Sequence, residues 1–275
     1  MRKAILVSIV VLTTAACAFA EPLRVREVPF PYKTIQEAIE AANDGDTVVV
    51  HPGTYTGDGN RDIDFLGKAI TVRSEDPEEE GIVAVTIIDC EASGEGPSRA
   101  FIFQTLEDAN SILDGFTILN GYVREDANGT PDPNGNGADG EDSMGGAINC
   151  IGASPIIRNC IINNCVAEGG AGGAGAPGDP GIPADPGDPN DPNDDIPAVP
   201  PTPGGAGGDA GSGYGGGIYC DPNSAPTILN CQFNGCSAIG GTGGAGGAGG
   251  TSGDPNEPNA PAGPSGSSDS AGGGG

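Results

Sequence analysis

The stretch GGAINCIGASPIIRNCIINNC, Gly145 to Cys165, is written again as GGGIYCDPNSAPTILNCQFNGC, Gly215 to Cys236. A repeat of this kind constrains the chain to stack its copies, because one copy cannot bury its own apolar face. A weaker third copy lies upstream, where Ser111 to Gly121 aligns with Pro155 to Cys165 and with Pro226 to Cys236. Three aligned positions are apolar or thiol throughout: Leu113, Ile157 and Ile228; Phe116, Cys160 and Cys231; Ile118, Ile162 and Phe233. Their spacing is three, then two. A helical face needs three-or-four spacing, and one flat strand needs strict alternation. The pattern therefore predicts two short strands meeting at a bend, with Gly115, Asn159 or Asn230 preceding the second.

Short strands, a Gly or Asn corner and a period of about two dozen residues describe a coil of a solenoid. DTVVVHPGTY, KAITVRS, VAVTIIDC and RAFIF fit the same scheme upstream. About five coils result, a rod of roughly 24 Å at the spacing of stacked strands. TIQEAIEAANDGD precedes the first coil. Thr34 and Glu37 have capping-box spacing, Ile35 and Ile39 share a helical face, and Asn43-Asp44-Gly45 stops the helix. Such a helix would cover the open end of a solenoid.

Residues 1–20 read as a cleaved export signal. Arg2 and Lys3 precede the apolar run Ala4–Leu12, and Ala18-Phe19-Ala20 supplies a small-x-small cleavage site. The run is too short to span a bilayer, and no second apolar segment follows, so the mature chain is expected to be secreted or at the cell surface. Cleavage after Ala20 removes two of 11 basic and none of 38 acidic residues, leaving 9 − 38 = −29. That charge argues against nucleic acid and anionic lipid as partners. Cell-surface glycans or other surface proteins are left as the expected partners.

Gly and Pro make up 75 of 275 residues, and 27 of them fall within the 49 positions 169–217. The expected organisation follows from that crowding. A cap with the helix occupies 21–44, and coils occupy 45–168 with an acidic insertion at 122–144. A low-complexity loop at 169–214 precedes a further coil at 215–239, and a low-complexity tail fills 240–275. The sequence stops within SSDSAGGGG with no capping element, so it can be read as a fragment.

YKTIQEAIEAANDGDTVVVHPGTYTG, followed by the two GGAI/GGGI copies, resembles exported right-handed parallel β-helix repeat proteins of the pectin-lyase-like fold. GGAI and FNGC are also similar to the GGAI/FxxN repeats of polymorphic outer-membrane proteins. The resemblance covers roughly 32–165 and 215–240. It implies an all-β, right-handed parallel β-helix. It leaves activity open, because that fold hosts lyases, hydrolases, esterases, adhesins and inert stalks.

The insertions leave at one aligned position, just after Gly121, Cys165 and Cys236, and so project from one side of the rod. They hold sixteen acids and one base, Arg124. Two readings stand. The heavier is that flexible acidic loops keep an exported protein soluble. The other is a Ca²⁺ site, with Asp132, Asp139, Glu141, Asp142, Asp188, Asp191, Asp194 and Asp195 as candidate ligands. No EF-hand spacing appears, and GGAGGD at 204–209 matches the Ca²⁺-binding nonapeptide only once. GAPGDPGIPADPGDP from Gly175 reads as extended polyproline II, being too short for a collagen triple helix.

The catalytic signatures of the fold's enzymes are missing. There is no Trp for the pectate-lyase signature, no Gly-His-Gly for polygalacturonases, and His51 is the sole histidine. A lyase would need an acid pair holding Ca²⁺ with an Arg base, for which Arg158 is the candidate, although an outward solvated strand residue is the commoner case. Asp89 and Asp114 could pair for glycoside hydrolysis, but strand-end Asp residues more often cap turns. His51 before Pro52-Gly53 fits an exposed turn better than a metal ligand.

Seven cysteines remain after cleavage. Stacking sets Cys150 over Cys220, Cys160 over Cys231 and Cys165 over Cys236. In-register stacking keeps Cβ atoms near the strand spacing, beyond the roughly 3.5–4.5 Å of a disulfide. Cys160 and Cys231 are expected as reduced, inward thiols in the place of Phe116. Asn159 and Asn230 are expected to stack beside them with amides bonding between coils. Cys150–Cys220 is singled out as the exception, since neighbouring glycines allow adjustment. The expected role is therefore structural, adhesive or glycan-contacting, without catalysis. The alternative is a polysaccharide lyase or glycoside hydrolase whose catalytic coils are missing.

Overall fold

The computed structural model describes residues 24–91, 98–125, 131–185, 197–252 and 258–268. The export-signal reading of residues 1–20 lies outside them. The protein is predominantly β, its short strands stacked in parallel and in register, an arrangement compatible with a solenoid.

Three sheets line the coils. The first has six strands: Val25–Val28, Thr47–Val50, Thr71–Ser74, Ile112–Asp114, Ile156–Arg158 and Thr227–Leu229. The second has five: Gly53–Tyr55, Thr86–Asp89, Thr117–Leu119, Ile161–Asn163 and Gln232–Asn234. The third has four: Ile63–Asp64, Phe101–Phe103, Ile148–Cys150 and Ile218–Cys220. The repeat alignment is the strand register. Leu113 pairs with Ile157 and Ile157 with Ile228, while Ile118 pairs with Ile162 and Ile162 with Phe233.

The bend between the first two sheets is built by residues with positive φ: Gly115 at 79°, Asn159 at 54° and Asn230 at 56°. Asn tolerates this left-handed conformation better than other side chains. Gly115 has a second reason to be glycine, because a Cβ there would lie 2.5 Å from both Pro77 Cβ and Ser74 Oγ. The next corner repeats the device with Asn120, Asn164 and Gly235. Inside, Phe65, Phe101, Phe103 and Phe116 are fully buried among stacked Ile, Val and Leu.

The N-terminal end is closed by the helix Ile35–Ala41, which buries Ile35, Ala38 and Ile39. Thr34 Oγ1 accepts from the Glu37 amide, and Glu37 Oε2 accepts from the Lys33 amide. At the other end Lys68 Nζ donates to the Ile39, Glu40 and Ala42 carbonyls, placing a cation where the helix leaves acceptors free. The last coil is different. Ile228, Leu229 and Phe233 are 41%, 51% and 43% exposed, although their aligned partners one coil earlier are better covered.

The low-complexity insertions depart from the expected unstructured loops wherever they are described. Outgoing chain at 169–181 and 240–251 forms one layer, and incoming chain at 131–144, 202–214 and 260–268 forms another, running the opposite way. Parallel neighbours bond at every third residue, as Gly172, Gly175 and Gly178 donate to the carbonyls of Thr242, Ala245 and Ala248. Opposed neighbours do the same: Gly173 donates to Ala138, Gly208 to Gly173, Gly244 to Gly208 and Gly266 to Gly244, at 2.7–2.9 Å. A three-residue period of bonds with no bonds inside a strand is the signature of polyproline-II-type helices, three residues per turn at about 3.1 Å rise. The insertions are thus a finger of packed extended helices. Small two- and three-stranded sheets root it on the coils: Ser143–Met144 with Gly213–Tyr214, and Tyr122–Arg124, Val166–Glu168 and Ser237–Ile239.

Glycine is what permits this packing. A Cβ at Gly172 would lie 2.0 Å from the Gly208 carbonyl oxygen, and one at Gly208 would lie 1.9 Å from that of Ala138. Only the third residue of each turn points outward. Along 241–251, Gly241, Gly244, Gly247 and Gly250 are buried while Thr242, Ala245, Ala248 and Thr251 are exposed.

Candidate functional site

The side chains that catalysis could draw on are tied to neighbouring coils. Arg158 stands on the first sheet beside Asp114, its register partner one coil earlier. Its Nε and Nη2 both approach Asp114 Oδ2 at 2.8 Å, and Asn159 Nδ2 donates to Oδ1 at the same distance. The Asp114 side chain is only 2% exposed, so the guanidinium and the amide are what let a carboxylate sit there. Asp89 ends a strand of the second sheet, where Oδ1 accepts from the Glu91 amide and from Asn120 Nδ2. The two carboxylates stand on different sheets with separate partners. His51 Nδ1 lies 3.2 Å from Glu75 Oε2 on the surface.

Asparagines and cysteines form columns along the coils. Asn230 Nδ2 donates to Asn159 Oδ1, and Asn234 Nδ2 donates to Asn163 Oδ1. All seven cysteines among the described residues are free thiols, Cys150 and Cys220 included. Cys90, Cys150, Cys160 and Cys165 are buried, Cys231 and Cys236 half-buried and Cys220 exposed. Burial pushes the Cys90 thiol up to about 12. Each stacked pair is polarised. A hydrogen bond with the thiol one coil earlier, Cys160 or Cys165, lowers its outer partner, Cys231 to about 7 and Cys236 to about 6. The same bond, reinforced by burial, raises Cys150, Cys160 and Cys165.

A groove of about 480 Å³ opens beside this corner. Pro77, Glu78, Glu80 and Val83 form one wall, and Asn159, Asn230, Cys231 and Gln232 line the other. Two carboxylates and three amides can bond a hydroxyl-rich ligand, but no ring is available for stacking a sugar.

The finger has two unlike faces. The incoming layer carries an Asx column at three-residue spacing. Asn136, Asp139 and Asp142 each accept, through Oδ1, the amide of Ala206, Asp209 and Ser212. Asp209 repeats the motif one strand further, accepting from the amide and hydroxyl of Ser267, which lowers its carboxyl. Asp132 instead closes a local turn, accepting from the amides of Asn134 and Asn136, and is lowered chiefly by the latter. Among the described residues the Glu141 backbone, not its carboxylate, bonds within the finger. Among the described residues no three acids or thiols gather in a way that could hold a metal ion. Asp188, Asp191, Asp194 and Asp195 lie outside the described residues. The outgoing layer exposes Ala174, Pro177, Pro180, Thr242, Ala245, Ala248 and Thr251, with Asp179 its one exposed acid along 171–181.

Composition marked these segments as low in complexity and hid their order. The signal that could have revealed it is the strict Gly-Gly-x triplet of GGAGGAG and GGTGGAGGAGGT, which matches the three-residue screw. No protein-family model, no curated protein and no solved structure matches the chain.

Proposed function

We propose that this is a non-catalytic repeat protein, exported to the cell surface or beyond it, whose role is structural or adhesive. The coils are read as a right-handed parallel β-helix of the pectin-lyase-like type. Support for the hand comes from the strong preference of parallel crossovers for right-handed connections. The export signal, and glycans or other surface proteins as partners, are part of the same reading.

The observation that carries it is the commitment of Arg158. A general base needs a free lone pair aimed at substrate, and a guanidinium held at 2.8 Å by a buried Asp114 is a structural cation. The finger adds a second reason, since a rigid slab on one side of a rod suits contact between molecules better than turnover.

The test is incubation of the purified protein with Ca²⁺ and polygalacturonate, alginate or neutral glycans. No unsaturated product and no new reducing ends are expected. Arg158→Ala is expected to lower thermal stability, by about 3 kcal/mol where a buried carboxylate loses its partner. Product formation that disappears in Arg158→Ala would overturn the reading in favour of a lyase.

A further inference from the structure

We propose that the groove beside the first corner takes a lysine or arginine side chain from a basic segment of another protein, its methylene stem on the apolar wall and its charged nitrogen against Glu78 and Glu80. The groove stands on the flank of the coils. One wall is the loop after Thr71–Ser74, which carries the short helix Glu80–Val83 and rises over the corner of the next coil. The other is the outer surface of the two coils that follow, at Asn159 and Ile161 and at Asn230 and Gln232.

The loop is fixed in place, which separates it from a solvated run of charge. Pro77 packs so closely on Gly115 that no Cβ fits between them. Thr117 Oγ1 donates to the Val83 carbonyl at 2.9 Å and Thr86 Oγ1 to that of Ile82 at 2.8 Å. Arg73 Nη1 donates to the carbonyls of Ser74 and Glu75. Glu78 and Glu80 are thus carried on a shelf that needs little ordering when a partner arrives. Among the described residues no base pairs with either carboxylate: His51 lies against Glu75, and Arg158 is held by Asp114.

The lining selects the occupant. Pro77, Val83 and Ile161 offer the apolar surface on which Lys and Arg lay their stems while the head stays in water. Asn159 is committed to Asp114 and Asn230, but the Gln232 side-chain amide has no partner among the described residues and can bond a peptide group beside the cation. A volume of about 480 Å³ holds one long side chain with the backbone on either side of it. A neutral sugar would strip water from two carboxylates without supplying charge, and would find no ring to stack on. An anionic ligand would be repelled, whereas a formal net charge of −27 steers a basic partner inward.

The assignment rests on the structural or adhesive reading above and names the chemistry of a partner. The glycan assays decide that reading without involving this groove, so the two can fail separately. The experiment is an NMR titration of the full chain with the blocked tripeptide Ala-Lys-Ala at millimolar concentration. Saturable shifts are expected at the Gln232 side-chain amide and at the Glu80 and Gly81 backbone amides. Replacing both carboxylates, Glu78→Gln with Glu80→Gln, keeps the shape of the shelf and is expected to weaken binding roughly ten-fold, the scale of two exposed ion pairs. Glu40→Gln, at an exposed glutamate of the N-terminal helix, is expected to change nothing. A peptide with norleucine in place of lysine, which has the stem without the charge, is expected not to bind. No shifts, shifts that spread over the acidic surface without saturating, or an equal response from the double variant or the norleucine peptide overturns the proposal. Saturable shifts with glucosamine and none with the lysine peptide would give the groove to an amino sugar and overturn it as well.

Discussion

Asn159 holds three roles at once: it turns the corner at φ 54°, donates to buried Asp114, and accepts from Asn230. The thiol beside it shows how stacking differentiates identical residues. Cys160 and Cys231 occupy the same place in successive coils, yet Cys160 is buried and Cys231 half-exposed. The hydrogen bond between the two thiols favours the thiolate on the exposed sulfur, which water also stabilises. Alkylation follows thiolate fraction and access. Iodoacetamide at pH 7 is thus expected to modify Cys220, Cys231 and Cys236 and to spare Cys90, Cys150, Cys160 and Cys165. Because Cys236 is held at about 6, its rate is expected to fall by roughly ten-fold near pH 5, as protonation removes the nucleophile. Peptide mapping of the labelled protein checks both. Uniform labelling, or disulfides linking the aligned pairs, would show that the columns are not as described.

The finger is the element in which single atoms matter most. The strands at 202–214 and 240–251 have two faces closed by carbonyl oxygens, so one methyl group there separates a packed strand from an excluded one. Gly208→Ala puts a Cβ 1.9 Å from the Ala138 oxygen, at the centre of the array. It is expected to cost about 1–3 kcal/mol and to loosen the finger ahead of the coils. Ala174→Ser, on the exposed face, is expected to be neutral. Hydrogen exchange separates the two effects, with lost protection at Gly137, Gly173 and Gly244 in the first variant and none in the second. Equal protection in both would mean that the array does not persist in solution.

At the scale of the whole molecule, charge is unevenly shared. The formal net charge is −27, and one layer of the finger carries a column of acids while the other presents mostly Ala, Pro and Thr. Exposed like charges repel over about 10 Å at 0.1 M salt, so added salt relieves them. Thermal stability is expected to rise modestly between low salt and 0.15 M NaCl. Asp139, Asp142 and Asp209 each already accept an amide on one oxygen and stand on separate turns. Ca²⁺ at matched ionic strength is therefore expected to add nothing further. A Ca²⁺-specific increase in melting temperature would instead reveal a native-state cation site, since a ligand binding only the native state stabilises it by mass action.

The stacking of the coils was legible in the sequence because side-chain period is a local property. Leu113, Phe116 and Ile118 alternate as they do because of where each side chain must point, and their alignment with Ile157, Cys160 and Ile162 is the register itself. The helix Ile35–Ala41 was legible for the same reason, from Thr34 and its buried face. The strand Val25–Val28 was not, since VREV shows no alternation that would separate it from a leader segment. The finger was invisible for a deeper reason. A polyproline-II-type helix makes no hydrogen bonds of its own, so composition and hydropathy do not distinguish an ordered GGAGGAG from a solvated one, and only its Gly-Gly-x triplet period points to the screw. Order there comes from neighbours 35 and 69 residues away, as Gly208 with Gly173 and Gly137 with Ala206 show. The pairing of Arg158 with Asp114 likewise required the coils to be in place. The sequence by itself determined which residues repeat and therefore stack. Only the tertiary structure decided what the repeats bring together, because backbone pairing and buried charge depend on partners that no local pattern names.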